Sequence, residues 1–76
     1  MITPEQCKGA RAMLGLSRGE VAKRAHISER TLIDFDRGPR QPYERTIRDV
    51  QEALEQAGVV FLPADEGGGV GVRFGG

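Results

Sequence analysis

The sequence has few of the residues from which several kinds of protein are built. It has one cysteine and one histidine among 76 residues, so a disulfide framework is excluded, and Cys7 and His26 alone do not make a metal-ligand cluster. It has no apolar run long enough for a membrane span, and its first turns match a capped helix, which argues against a signal peptide. We therefore expect a cytoplasmic protein without a cofactor or a membrane partner.

Catalytic side chains are equally scarce. The lone histidine, the lone cysteine and the absence of paired carboxylates argue against an enzyme, and so short a chain has little volume for a pocket that excludes water. The glycine run GGGVG near the C-terminus is not a phosphate loop, because no helix with Lys-Ser/Thr follows it. A single domain of this length has a marginal core, so a partner subunit often helps to stabilise it.

The charges are unevenly distributed although the formal net charge is zero. Residues 1 to 43 hold eight Lys/Arg and five Asp/Glu, a balance of +3, whereas residues 44 to 76 hold three and six, a balance of −3. A basic face on the first half would produce this asymmetry, although ordinary surface charge would also produce it.

Helix-capping signals and apolar spacing predict four helices. The first two begin with capping boxes, in which a Ser or Thr is followed three residues later by Glu or Gln. Glycines end the first, third and fourth helices, and the second stops near Ala25-His26. The predicted helices run from Thr3 to Gly15, from Ser17 to about Ala25, from Ser28 to Gly38 and from Thr46 to Ala57.

The chain changes character after Gly58. Residues 59 to 62 are β-branched, aromatic or aliphatic, and Val70, Val72 and Phe74 then alternate with other residues. A period of two is typical of a strand, so a small β-hairpin is predicted. Two strands alone are marginal in water, so the hairpin must pack on the helices or pair with a second chain. We divide the chain into a helical domain, residues 1–58, and a C-terminal hairpin and glycine-rich tail, residues 59–76.

The second and third helices are short and joined by a tight turn, which is the layout of a helix-turn-helix. This segment resembles the DNA-binding domains of the lambda and 434 repressor class, called Xre-type. The matching motifs are Gly15-Leu16-Ser17, Glu20-Val21-Ala22, His26-Ile27-Ser28, Thr31-Leu32, Asp36-Arg37-Gly38 and Pro42, and the resemblance covers about residues 5 to 57.

The resemblance implies a mainly α fold, a four-helix lambda-repressor-like bundle, here with a small C-terminal hairpin. It implies a sequence-specific regulator of transcription that binds double-stranded DNA as a homodimer with its third helix in the major groove. The dimer contact is expected at the fourth helix, the hairpin, or both. The alternative is an antitoxin or another protein-interaction module that neutralises a partner protein and binds its own operator.

The third helix carries the expected DNA contacts. Its inner side is expected to hold Ser28, Leu32 and Phe35. Outward side chains can read base edges, because an arginine fork fits guanine, a carboxylate accepts from cytosine and an apolar group touches the thymine methyl. The expected base contacts are Glu29, Arg30, Ile33 and Asp34, and the expected phosphate contacts are Ser17, Arg18, Ser28, Thr31, Arg37 and Arg40. The alternative is that these residues are a solvated surface.

Two positions depart from the family pattern, and one structural pair is carried over from it. His26 stands where the family usually has a glycine with a left-handed backbone, which histidine tolerates at some cost. Asp34 stands where a basic or amide residue is common, and it repels phosphate. The family pairs an arginine of the first helix with the acid at Asp36, so a partly buried ion pair between Arg11 and Asp36 is predicted.

Overall fold

The chain folds into four helices followed by a β-hairpin over the residues that the structure describes. A computed structural model describes residues 1–38 and 42–75. The helices are α1 (Pro4–Leu14), α2 (Arg18–Ala25), α3 (Glu29–Arg37) and α4 (Glu44–Ala57), and the strands are β1 (Val59–Leu62) and β2 (Gly71–Phe74). The mainly helical fold with a small antiparallel hairpin, as predicted from the sequence, is confirmed.

The first three helices begin at the predicted caps. The hydroxyls of Thr3, Ser17 and Ser28 each accept a hydrogen bond from the backbone N–H three residues later. Such bonds satisfy donors that an α-helix leaves unpaired in its first turn. Gly15 and Gly38 follow the ends of α1 and α3 with φ angles of 69° and 82°, the left-handed backbone that glycine adopts without a steric cost.

The fourth helix begins two residues earlier than predicted, at Glu44 instead of Thr46. The sequence offered no capping side chain there, and the side chain of Tyr43, the residue before the helix, makes no capping hydrogen bond. The Tyr43 carbonyl accepts from the N–H groups of Thr46 and Ile47, as the first carbonyl of a helix does. A helix start without a capping side chain leaves no clear signal in the amino-acid sequence, so the boundary was missed.

The core is built from one side of every helix. Its largest fully buried apolar side chains are Phe35, Leu32, Leu54, Val21 and Val50. The hairpin closes the core from the side of α1 and α4, and Val59 is buried at the start of β1. The thiol of Cys7 is fully buried, as predicted from its place on the apolar side of α1.

A buried glutamine fastens the hairpin to the first helix. The side-chain N–H₂ of Gln6 donates to the carbonyls of Leu62 and Gly71, at 3.1 and 2.9 Å, where the two strands approach the turn. Its side-chain oxygen accepts from the backbone N–H of Thr3 in the predicted capping box. Gln6 therefore joins three separate segments, and its buried polar atoms all find partners.

None of the helices within residues 1–38 and 42–75 has the length and apolar character needed to cross a bilayer.

Candidate nucleic-acid interface

A left-handed turn fixes how α3 leaves α2. His26 has a φ of 59° and is the one non-glycine residue with positive φ within the described ranges. It ends α2, and the N–H groups of His26 and Ile27 donate to the carbonyls of Lys23 and Ala22. The predicted strained turn residue is therefore present. The turn is tight because Ser28, two residues further on, already caps the next helix.

The third helix has a buried side and an exposed side. Leu32, Phe35 and Asp36 face the interior of the protein, with α1 and α2 beneath them. Among the residues predicted to touch DNA, Glu29, Arg30 and Arg37 are exposed, whereas Thr31, Ile33 and Asp34 are half-buried. Ser28 was expected on the inner side, and that expectation is wrong: the residue is exposed because its hydroxyl is turned toward the first turn of the helix.

The side chain of Arg30 is extended along the outer side of α3. Its Nε lies 3.4 Å from a carboxylate oxygen of Asp34, and 80% of the arginine side chain is exposed. An exposed pair one helical turn apart contributes only about 0.3–0.5 kcal/mol. This weak ion pair does not fix the position of the Arg30 side chain. The guanidinium can therefore leave Asp34 and bind another acceptor.

The carboxylate of Glu29 leans toward the first turn of α2. A Cβ atom added to Gly19 would lie 3.6 Å from a carboxylate oxygen of Glu29. The first turn of a helix carries a partial positive charge from its unpaired N–H groups, so a carboxylate is favoured there. Gly19, which weakens α2 as a helix former, leaves room for this approach between the two helix starts.

The hydroxyls at the starts of α2 and α3 are already occupied by the protein. Ser17 accepts from the N–H of Glu20 while the Glu20 carboxylate accepts from the N–H of Ser17, at 3.1 and 2.9 Å. Hydrogen bonding to the Glu20 carboxylate, from the Ser17 backbone N–H first and from the Ser17 side chain second, lowers the pKa of Glu20. The hydroxyls of Ser28 and Thr31 lie 2.7 Å apart. Two predicted phosphate contacts thus meet in one hydrogen-bonded pair at the start of α3.

A buried carboxylate ties α1, α2 and α3 together. Asp36 has no exposed side-chain area, and its Oδ2 accepts from Arg11 at 2.6 Å and from Arg18 at 3.1 Å. The predicted ion pair between Arg11 and Asp36 is therefore present and partly buried, as expected. The bond from Arg18 was not predicted. A second cation was needed because a carboxylate this deeply buried costs several kcal/mol unless it is well paired.

Arg18 keeps a second set of donors for a ligand. Only its Nε is used by Asp36 among the described residues, and 47% of its side chain is exposed. A guanidinium carries further N–H donors on its two terminal nitrogens. These groups lie at the first residue of α2, so the predicted phosphate contact remains compatible with the bond to Asp36.

The surroundings of Asp36 are not completely paired. Its Oδ1 and the Nε of Arg11 are buried and have no hydrogen-bond partner within residues 1–38 and 42–75. Burial, with the charge of Asp36 nearby and partly offset by Arg11, raises the pKa of the Cys7 thiol to about 12. A thiol with so high a pKa stays protonated and unreactive in the folded protein, which agrees with a structural role for Cys7.

The remaining predicted contacts lie toward the end of α3. Arg37 is exposed in the last turn of the helix. Arg40 lies outside the described residues. In residues 1–38 and 42–75, no group of three or more His, Cys, Asp or Glu side chains is arranged to hold a metal ion.

A shallow groove on another side of the molecule separates α2 from α4. It contains Asp49 and Glu52 of α4, but also Arg24 and His26. Side chains of both signs line it, so the groove does not select a partner of one charge.

No protein-family model matches the chain, and a search of curated proteins found no match.

Proposed function

We propose that this chain is a sequence-specific DNA-binding regulator of transcription that acts as a homodimer, with α3 in the major groove. The observation that carries the proposal is the exposed side of α3, where Glu29 and Arg30 lead the helix and Arg37 ends it. The left-handed turn at His26 sets the direction in which α3 leaves α2, and this side of α3 lies exposed beside the start of α2. A helix of this kind suits the width of the major groove.

The charges next to this exposed side of α3 support phosphate contacts. Arg18 begins α2 with two terminal nitrogens unused by Asp36, and Arg37 is exposed in the last turn of α3. Arginines and helix starts that flank a recognition helix fix its position on the DNA backbone, whereas the residues between them read the bases. Asp34 opposes phosphate, so we expect modest affinity for random DNA.

The proposal is tested by selection from a pool of random duplex DNA at two salt concentrations. We expect enrichment of a palindrome whose half-sites lie about one helical turn apart. The slope of log affinity against log salt concentration then gives the number of phosphate contacts. Binding without any enriched sequence would contradict the proposal.

Single substitutions separate base contacts from phosphate contacts. Arg30→Ala is expected to weaken binding to the selected site by about 1–3 kcal/mol and to relax the preference at one base pair. Arg37→Ala is expected to weaken binding to all DNA sequences by a similar amount. It should also reduce the slope of log affinity against log salt concentration by about one. Arg48→Ala is the matched control. Arg48 is an exposed arginine of α4 whose guanidinium lies 3.9 Å from Glu44 in its own helix, and its loss should leave affinity unchanged.

The alternative, a module that neutralises a partner protein, rests on the resemblance alone, because the groove between α2 and α4 carries charges of both signs. Co-purification of a partner protein would favour it, whereas selection of a DNA sequence would not distinguish the two, because such a module also binds its own operator.

A further inference from the structure

The outer edge of β2 presents backbone groups that point away from the hairpin. The N–H of Gly75 donates to the carbonyl of Gly58 at 2.9 Å, and the next residues, Val59 and Phe74, lie opposite each other. Hydrogen-bonded and non-hydrogen-bonded pairs alternate along an antiparallel ladder. Phe74 and Val72 therefore occupy non-hydrogen-bonded positions, where the N–H and C=O groups point outward to the edge. The carbonyl of Phe74 there accepts from the guanidinium of Arg73 at 3.0 Å, an exposed bond that an N–H of another strand can replace.

Apolar side chains flank this edge. Val70 and Phe74 are 42% and 57% exposed, and by the period of two they lie on the same face as Val72. Val72 itself packs on α1, where a Cβ added to Gly9 would lie 3.3 Å from it. Exposed apolar residues beside an unpaired strand edge are an aggregation hazard unless another chain covers them.

The edge of β1 is less suited to pairing. By the same alternation, the backbone groups of Phe61 point to the open edge of β1 and not to β2. Pro63, two residues further on, occupies the same kind of position. A proline has no N–H to donate, so it interrupts a ladder at that point. The residues of β2 that face outward, Val72 and Phe74, both keep their N–H groups, as does Val70 just before the strand.

We propose that β2 pairs antiparallel with β2 of a second copy of this chain, in a register centred on Val72, to form a continuous four-stranded sheet. Val72 then lies opposite Val72 of the second copy. Phe74 lies opposite Val70, and Arg73 lies opposite Gly71, twice each by symmetry. This inference rests on the proposed function, since it supplies the contact for the homodimer.

The side chains select this register over its neighbours. A register centred on Arg73 would place two arginines directly opposite each other, which is destabilising. A register centred on Phe74 would leave Val70 outside the paired segment and exposed. The register centred on Val72 instead joins an aromatic with a β-branched residue on both sides of the two-fold axis, a favourable cross-strand pair. It also forms about six backbone hydrogen bonds.

Pairing through β2 leaves the candidate DNA interface uncovered. The hairpin packs on α1 and α4, whereas α3 packs on α1 and α2. The first helix therefore separates the paired edge from the recognition helix, and the two functions use different surfaces. A short strand edge buries less area than a standard interface, so the dimer is expected to dissociate on dilution.

The first test measures oligomeric state by sedimentation over a wide range of protein concentration, without DNA. The double variant Val70→Lys/Phe74→Lys places like charges in the paired segment at two exposed positions, so its helical content should be retained. We expect its dimer dissociation constant to rise at least about tenfold. The control is Leu62→Lys, an exposed site on the other face of the hairpin, which should leave the constant within about twofold.

The second test reads the register by disulfide formation. Gly71→Cys protein is mixed with Arg73→Cys protein, because opposite residues in a strand pair have Cβ atoms within reach of a disulfide. A Cβ at Gly71 meets nothing closer than Leu62 at 3.7 Å, and the buried thiol of Cys7 does not compete. We expect the mixture to cross-link at least about tenfold faster than either protein alone.

The outcomes distinguish this inference from the proposed function. A protein that stays monomeric at the highest concentration, a Val70→Lys/Phe74→Lys variant that dimerises normally, or faster cross-linking of Arg73→Cys with itself would each overturn the inference. None of these results bears on whether α3 selects a DNA sequence. Conversely, a dimer that cross-links between positions 71 and 73 supports the inference even if selection from random DNA recovers no site.

Discussion

Replacing Arg11 with alanine should destabilise the fold more than replacing Arg18, although both arginines bond the same oxygen of Asp36. Arg11 approaches that oxygen at 2.6 Å with 16% of its side chain exposed, whereas Arg18 approaches at 3.1 Å with 47% exposed. Water screens the second pair and not the first. The carboxylate itself has no exposed area, so it cannot find water when a partner is lost.

The magnitude follows from the burial of the carboxylate. Removing one partner of a buried ion pair costs about 3–5 kcal/mol, because the other charge stays buried without compensation. Arg18 still pairs with Asp36 in the Arg11→Ala variant, so we expect a loss of unfolding free energy at the lower end of this range, about 3 kcal/mol. Arg18→Ala removes a half-exposed cation and should cost about 1 kcal/mol. For a domain this small, 3 kcal/mol lowers Tm by about 12–24 °C.

Urea unfolding followed by far-UV circular dichroism measures both losses. The chain has no tryptophan and its one tyrosine, Tyr43, is 86% exposed, so fluorescence would report poorly on the core. Equal midpoints for Arg11→Ala and Arg18→Ala, or an unchanged midpoint for Arg11→Ala, would refute the reasoning from burial.

A matched pair of variants separates charge from packing. Arg11→Met keeps most of the aliphatic volume but leaves the Asp36 carboxylate with Arg18 alone, so it should lose nearly as much stability as Arg11→Ala. The double variant Arg11→Met/Asp36→Leu removes the buried charge as well and should recover most of the loss, because apolar replacements of buried pairs are often neutral. If Arg11→Met alone were as stable as the parent protein, the ion pair would not be the cause.

Three further substitutions test local features of the fold. Gln6→Ala should lower the free energy of unfolding in urea by about 1–3 kcal/mol, because the part-buried carbonyls of Leu62 and Gly71 each lose a hydrogen bond. Amide exchange should speed up more in the hairpin than in α2, and uniform exchange would contradict this. His26→Gly should raise the free energy of unfolding by at most about 1 kcal/mol, because glycine adopts the left-handed backbone without strain. His26→Val should lower it, and a valine variant more stable than the parent protein would exclude strain at this turn. Since the folded protein lowers the pKa of Glu20 below 4.5, this carboxylate contributes stability above that pH and loses it as the pH falls through the folded pKa. Glu20→Gln should therefore reduce the drop in Tm between neutral pH and about pH 3, and an identical drop in both proteins would contradict the role assigned to Ser17.

The predictable features of the fold are those that a few neighbouring residues determine. The caps at Thr3, Ser17 and Ser28 could be identified because each hydroxyl bonds an N–H three residues away. The positive φ of His26 was expected only from the resemblance, because His26 stands where the Xre-type pattern has a glycine. The start of α4 could not be predicted, since the side chain of Tyr43 makes no capping hydrogen bond.

The contacts that sequence reasoning missed join residues far apart in the chain. Gln6 was recognised only as part of a capping box, but its amide also reaches Gly71, 65 residues away. Arg18 was assigned to phosphate, but it also bonds Asp36. Periodicity and caps give no information about such partners. One signal was available for Arg18: an acid at the inner side of a helix end needs more than one cation, and Arg18 starts the neighbouring helix.

The two arginines expected to lead the DNA contact are both engaged within the protein, and the engagements differ in a way that matches their proposed roles. Arg30 lies 3.4 Å from a carboxylate that is itself partly exposed, so leaving it costs less than about 0.5 kcal/mol, and the side chain is free to choose among bases. Arg18 is half-exposed but bonds a fully buried carboxylate, so it is held more firmly than Arg30 and offers its terminal nitrogens from a better-defined position. A phosphate contact sets the register of the protein on DNA, so its side chain needs a fixed position. A base contact must instead form on the correct base and not on the others.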